Sequence, residues 1–355
     1  MKTFWHKHKM FFVYLAVVSG VSLLLLAGYL IWRVRSTEPV ANAPTSTQVE
    51  NPESTPELHP LQIDAIKARS YPGSIITIEQ DLGNRSGYNQ KIVSYQSDEF
   101  KVFALLVTPS GNVPEGGWPV VILNHGYVEP SAYRTINNYY TATISALALS
   151  GTAVLMPDYR GHGNSEGTPE GGHFSPVYTY DDLNLISSIA LTPTLGLSST
   201  RMGTLGHSLG AHTSLRVAVV NPNIKATVYA AGVVASTEDI LYNWPNSPMP
   251  NDMPASIHAA RDALLAQYGT PRTNPEFWNS VSAINYVSNI TGASQIHHSQ
   301  ADAVVPIDFS IKLDNALKAS GKPVEFYNYP GNDHQIISNS QLAISRIVSF
   351  FKNNL

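Results

Sequence analysis

Residues 206–210 read Gly-His-Ser-Leu-Gly, between a strand-like segment ending at Leu205 and a helical run beginning near Leu209. In that context Gly206 and Gly210 let a strand turn sharply into a helix, lifting Ser208 out of the sheet. At a helix N-terminus the partial positive charge favours a developing oxyanion. A serine hydroxyl becomes a nucleophile beside a base, and the base needs an acid to orient it. His334 stands in the loop Pro-Gly-Asn-Asp-His, after a strand-like run and before the last helical one. Asp302 stands in a similar loop, Ser-Gln-Ala-Asp-Ala-Val-Val-Pro. Asp is also a common helix cap, and Asp308 immediately precedes the helical run that follows, so Asp302 is expected as the orienting acid and Asp308 as the cap. The chemistry expected of Ser208, His334 and Asp302 is acyl transfer. Two backbone donors must then hold the oxyanion, expected from Leu209 and from Tyr127 in Asn-His-Gly-Tyr, residues 124–127.

The remaining histidines fit less well. His212 lies one helical turn beyond Ser208, His258 falls in a separate segment, and His297 and His298 end a strand, where only one can face the site. Arg160 and His162, in the glycine-rich stretch Asp158–Gly167, are expected to brace that loop. No HExxH-like spacing suggests a metal, and the proposed chemistry calls for no cofactor. With no cysteine, thiol nucleophiles, zinc–thiolate sites and disulfides are excluded. The 22 basic and 26 acidic residues form no basic stripe, so nucleic acid is not an expected partner.

The elements that must position these residues alternate. Strand-like runs at Lys101–Thr108, Pro119–Asn124, Thr152–Met156, Met202–Leu205, Ala226–Ala230, Ala293–His297 and Val324–Tyr329 are bounded by Gly and Pro. Helical spacing occupies Tyr139–Leu149, Tyr178–Ile189, Leu209–Val220, Ile307–Ala319 and Leu342–Phe351. This rhythm predicts an α/β fold, with a largely parallel sheet covered by helices on both faces. Residues 234–286 break it with proline-rich loops and a helix over Ala255–Tyr268, the pattern of a small cap over the site.

At the N-terminus, a tail (residues 1–9) precedes an uncharged apolar run over 10–32, long enough to span a bilayer as a helix. It exceeds the apolar core of a cleaved signal, and Ala41-Asn42-Ala43 lies too far beyond it for a cleavage site. Lys2, Lys7 and Lys9 before it, against Arg33 and Arg35 after it, tilt the rest of the chain to the extracytoplasmic side. Residues 33–62, rich in Pro, Ser, Thr and Glu, read as a disordered spacer before a catalytic domain over 63–355.

Asn-His-Gly-Tyr at 124–127, Pro-Asp-Tyr-Arg-Gly-His-Gly-Asn-Ser-Glu-Gly at 157–167, Gly-His-Ser-Leu-Gly-Ala-His at 206–212, His-Ser-Gln-Ala-Asp-Ala-Val-Val-Pro at 298–306 and Tyr-Pro-Gly-Asn-Asp-His-Gln at 329–335 come in sequence. Together they resemble the catalytic domain of the prolyl oligopeptidase family of serine peptidases, and the related dienelactone hydrolase and esterase branch of the α/β hydrolases. The resemblance implies an α/β-hydrolase fold, with Ser208 as nucleophile, Asp302 as acid, His334 as base, and Tyr127 and Leu209 at the oxyanion hole. It implies a small-molecule or short-peptide substrate. Ser299 replaces a glycine usual in the family, and the β-propeller that gates many of these peptidases has no counterpart, which leaves peptidase and carboxylesterase as alternative expectations. A non-catalytic binding module on the same fold would be expected to have lost one of the three residues.

Overall fold

The computed structural model describes residues 57–136, 139–244, 255–331, 333–336 and 340–355. The apolar run over 10–32 and most of the spacer lie outside them. Among the described residues, no helix is long and apolar enough to cross a membrane.

Nine strands form one sheet: β1 (Thr77–Arg85), β2 (Tyr88–Ser97), β3 (Phe100–Pro109), β4 (Trp118–Asn124), β5 (Ala153–Pro157), β6 (Leu197–His207), β7 (Ile224–Ala230), β8 (Ala293–Ser299) and β9 (Val324–Tyr329). Their order is β1-β2-β3-β5-β4-β6-β7-β8-β9. The six from β5 to β9 run parallel, whereas β1, β2 and β3 are joined antiparallel, β3 along β5.

The central strands are continuous apolar runs because both faces of the sheet are covered. In β4, Val120 and Ile122 enter one core, whereas Val121 and Leu123 enter the other. The first face packs α1 (Ile63–Ala68), α3 (Val177–Leu191), α4 (Leu209–Val220) and α8 (Ile307–Ala319) through residues such as Ile66, Leu183, Leu215 and Leu313. The second packs α2 (Thr141–Leu149) and α9 (Gln341–Asn354) through Leu147, Ile347 and Phe351. Helices α2 and α4, which follow β5's neighbour β4 and then β6, thus leave on opposite faces. The crevice between β4 and β6 at their C-terminal ends is therefore the topological switch point, where α/β sheets place ligand sites.

Between β7 and β8 the chain makes an excursion with α5 (Thr237–Tyr242), α6 (Ala255–Tyr268), α7 (Pro275–Ser280) and a 3₁₀ segment, Ala283–Asn289. Its apolar residues Ile240, Trp244, Leu264, Phe277 and Trp278 form a third core with Leu61, Phe174 and Phe309. Several expectations need adjustment. The strand expected at Met202–Leu205 runs from Leu197 to His207, and the hairpin β1–β2 was not anticipated. Helix α8 is capped by Pro306, so Asp308 sits in its first turn and is not the cap.

Candidate active site

β6 ends at His207, and Ser208 takes φ 54°, ψ −118° before α4 begins. A non-glycine residue with positive φ is strained by about 1–3 kcal/mol, and such residues cluster at functional sites. The surroundings over-determine it. Ser208 N–H donates to the Ala230 carbonyl at 2.9 Å, and its own carbonyl accepts from Ala211 and Val233. The flanking glycines are required by close approach. A Cβ on Gly206 would stand 2.3 Å from the Gly210 carbonyl oxygen, and one on Gly210 would stand 2.0 Å from that of Asn124. Ser208 is partly exposed between buried neighbours.

Asp302 and His334 come from the loops after β8 and β9. The Asp302 side chain is fully buried although its backbone is partly exposed. Its Oδ2 accepts from His334 Nδ1 at 2.8 Å, and its Oδ1 accepts from the amides of Val304 and Val305 at 2.8 and 3.0 Å. His298 Nε2 lies 3.3 Å from Oδ2, on a ring fixed by the Val305 carbonyl and the Ser310 hydroxyl. Burial alone would raise the Asp302 pKa, but the hydrogen bonds from His298 and His334 outweigh it and hold the carboxyl well below the usual carboxylate range. A carboxylate that accepts from Nδ1 leaves Nε2 of His334 as the basic nitrogen.

The loops that carry Asp302 and His334 are tied together. Gln300 and Ala301 donate backbone amides to the carbonyls of Tyr329 and Gly331. The Ser299 hydroxyl donates to the Asp333 carbonyl at 2.6 Å. The serine that departs from the glycine of the resemblance thus acts as a tether on the loop of His334.

Four neighbours of Ser208 line one cavity of about 460 Å³ with it: Tyr127, Leu209, His207 and His334. Leu209 is the first residue of α4, so its amide has no intrahelical acceptor. Gly126 packs against the elbow, where an added Cβ would meet Ser208 Cβ at 3.2 Å. A chain of hydrogen bonds unforeseen from the sequence links this loop to that of His334. The Gly126 amide donates to the Tyr140 hydroxyl at 3.0 Å, which therefore donates to His207 Nδ1, also at 3.0 Å. That leaves His207 Nε2–H to donate to the His334 carbonyl at 2.8 Å. Burial holds the buried His207 ring down at about 4, so it is uncharged near neutrality.

The other polar residues of the motifs serve the frame. Arg160 is held by Asp181 through its amide and guanidinium, and by Asp98 at 3.1 Å. His162 Nδ1 contacts the Arg160 carbonyl, His212 Nδ1 the Val233 carbonyl, and His297 lies between Tyr329 and Gln295. Both His297 and His298 are fully buried. No cluster of candidate metal ligands occurs among the described residues.

This fold, with its elbow at the switch point, is that of an α/β hydrolase. The prolyl oligopeptidase family pattern matches residues 138–355, and the chain belongs to that family of serine hydrolases. It is 25% identical over 247 residues to esterase YjfP of Escherichia coli, covering 67% of this chain and 89% of the esterase. A stretch of 121 residues is 28% identical to an epoxide hydrolase of Caballeronia sordidicola, spanning 34% of this chain and 32% of that protein. The structure is similar to that of an acylaminoacyl peptidase of Pyrococcus horikoshii, with TM-score 0.60 and 18% identity over 76% of this chain and 42% of the peptidase.

Proposed function

We propose that Ser208, His334 and Asp302 are the catalytic triad of a carboxylic ester hydrolase working through an acyl-enzyme. The observation that carries this reading is the 2.8 Å contact of Asp302 Oδ2 with His334 Nδ1, at a cavity lined by Ser208 in an elbow conformation. His334 Nε2 takes the proton of the Ser208 hydroxyl as its oxygen attacks the acyl carbon. The oxyanion accepts from the amides of Tyr127 and Leu209, and the protonated His334 returns its proton to the leaving oxygen. Water then repeats the sequence on the acyl-Ser208 ester, releasing the acid. Asp302 holds the ring in the required tautomer and stabilises its charged form. Residues 234–286 act as a cap, contributing Trp244 to the cavity wall.

Ester cleavage is favoured over peptide cleavage by extent. The chain spans 89% of the curated esterase and 42% of the acylaminoacyl peptidase. Membership of a peptidase family keeps short peptide amides as the second reading. The residues over 10–32 serve as an anchor that leaves the hydrolase outside the cytoplasm.

Wild-type protein should turn over 4-nitrophenyl esters of short acids faster than 4-nitroanilides of short peptides. Ser208→Ala should lower that turnover by about 10⁴–10⁶ and abolish labelling by a fluorophosphonate. Labelling that persists in the alanine variant would remove Ser208 from the mechanism. Faster cleavage of the peptide amides would reverse the substrate assignment.

A further inference from the structure

The wall of the cavity that holds Ser208 includes His173, which is only 2% exposed. Its Nδ1 is buried without a hydrogen-bond partner. Among the described residues with such an unpartnered buried atom, His173 alone lines the cavity that holds Ser208. The ring stands edge to face with His212 and Trp244, at centroid distances of 4.9 and 5.8 Å.

The position of His173 is fixed from behind. Arg216, on α4 just after Ser208, is itself 2% exposed and donates to the carbonyls of Gly172, His173 and Ser175 at 3.2, 2.8 and 2.7 Å. Its acceptors among the described residues are these carbonyls, and no carboxylate pairs with it there. A buried cation is costly to bury without an acid. Here its donors hold the short segment that carries His173, so one helix sets both Ser208 and His173.

We propose that His173 forms a recognition subsite for a neutral hydroxyl group of the ester substrate. This rests on the hydrolase reading and deepens it. Burial, with Arg216 nearby, holds the ring down at about 3, so the imidazole is uncharged and offers one donor and one acceptor. A hydroxyl satisfies both kinds of group. The cavity lining carries no lysine or arginine to pair with a carboxylate, and an ammonium would face the buried Arg216. The neighbouring walls, Val233, Leu209 and Trp244, are apolar, so the rest of this part of the ligand is hydrocarbon. A site built around an unpaired polar group discriminates against a ligand that leaves it unpaired, here by about ten- to hundredfold.

The test uses the full-length protein and two matched pairs of esters. The acyl pair is 4-nitrophenyl 3-phenylpropanoate with and without a ring hydroxyl. The alcohol pair is benzyl butanoate with and without one. Wild type should show a kcat/KM at least about tenfold higher for the hydroxylated member of one pair, which locates the subsite on the acyl or the alcohol side. His173→Phe should bring that ratio close to one, and His173→Gln, which keeps a donor and an acceptor, should retain most of it. The ratio within one variant is independent of how much protein is active. Ratios near one for both pairs in wild type, or a preference that survives in His173→Phe, would overturn the proposal. Should His173→Phe fail to fold, loss of the preference in His173→Gln would count against it in the same way. Hydrolysis of none of the four esters would instead overturn the hydrolase reading, and this subsite with it.

Discussion

Asp302 shows how much a single carboxylate can be asked to do. One oxygen closes a turn on the amides of Val304 and Val305, and the other meets two histidines, of which only His334 reaches the cavity. The sequence pointed to a choice between triad acid and cap for Asp302, but the geometry lets the residue orient a histidine and organise its own loop together. The contribution of His207 was hidden, because a residue inside a glycine–serine motif reads as a spacer. Its ring bridges Tyr140 and the His334 carbonyl. Replacing it should displace the proposed base more than it disturbs the cavity wall. His207→Phe should therefore lower kcat by about ten- to hundredfold with KM little changed, since misplacement of a catalytic group by about 1 Å has that cost. A rise in KM with kcat intact would show that His207 serves the substrate instead.

Asp158 makes a second prediction at this scale. It is fully buried, accepting from Tyr133 at 3.1 Å and from the Thr135 hydroxyl, and burial pushes its carboxyl up to about 7. The folded state thus binds a proton more tightly than the unfolded chain. That stability is fully present below about 4 and is lost as pH rises through about 7. Asp158→Asn should unfold at a lower temperature than wild type near pH 4, and should gain on it by an amount on the order of 3 kcal/mol as pH rises to 8. Parallel melting curves for the two proteins between pH 4 and 8 would show that the carboxyl does not titrate there.

At the scale of elements, the elbow depends on the contact between β6, α4 and the end of β4. Gly210 lies so close to the Asn124 carbonyl that any side chain must push strand and helix apart. Gly210→Ala should cost about 3 kcal/mol or more, because backbone on both sides resists relief. Thermal unfolding of the variant checks this, and a melting temperature unchanged from wild type would contradict it. The parallel strands were legible because each is a short apolar run between Gly and Pro, and their helices because of their spacing. The hairpin β1–β2 was not, since its residues are largely polar and β1 is exposed almost throughout. A signal was nevertheless present: Ser86 and Gly87, both with positive φ, make the two-residue turn between Arg85 and its partner Tyr88. The third core could not be read at all. It joins Leu61, Phe174 and Phe309 to an excursion far away in sequence, and no local period encodes that contact.

For the whole molecule, the proposal that residues 10–32 anchor the enzyme makes two measurable demands. The full-length chain should sediment with membranes and resist extraction by salt or carbonate. In intact cells, protease added outside should digest the hydrolase domain. A soluble form starting near Asn42 or Ala43 would show that the apolar run is removed, and protection from external protease would reverse the orientation. On the proposed mechanism, the order of Ser208, Asp302 and His334 along the chain has a further consequence, for time. Ser208 follows a central strand, but His334 follows β9, the outermost strand of the parallel array and the last to be made. A growing polypeptide therefore carries the proposed nucleophile before the residue that would arm it has been made. Premature termination before β9 yields a fragment without His334, and on the proposed mechanism competence arrives only once β9 and the loop after it have been made.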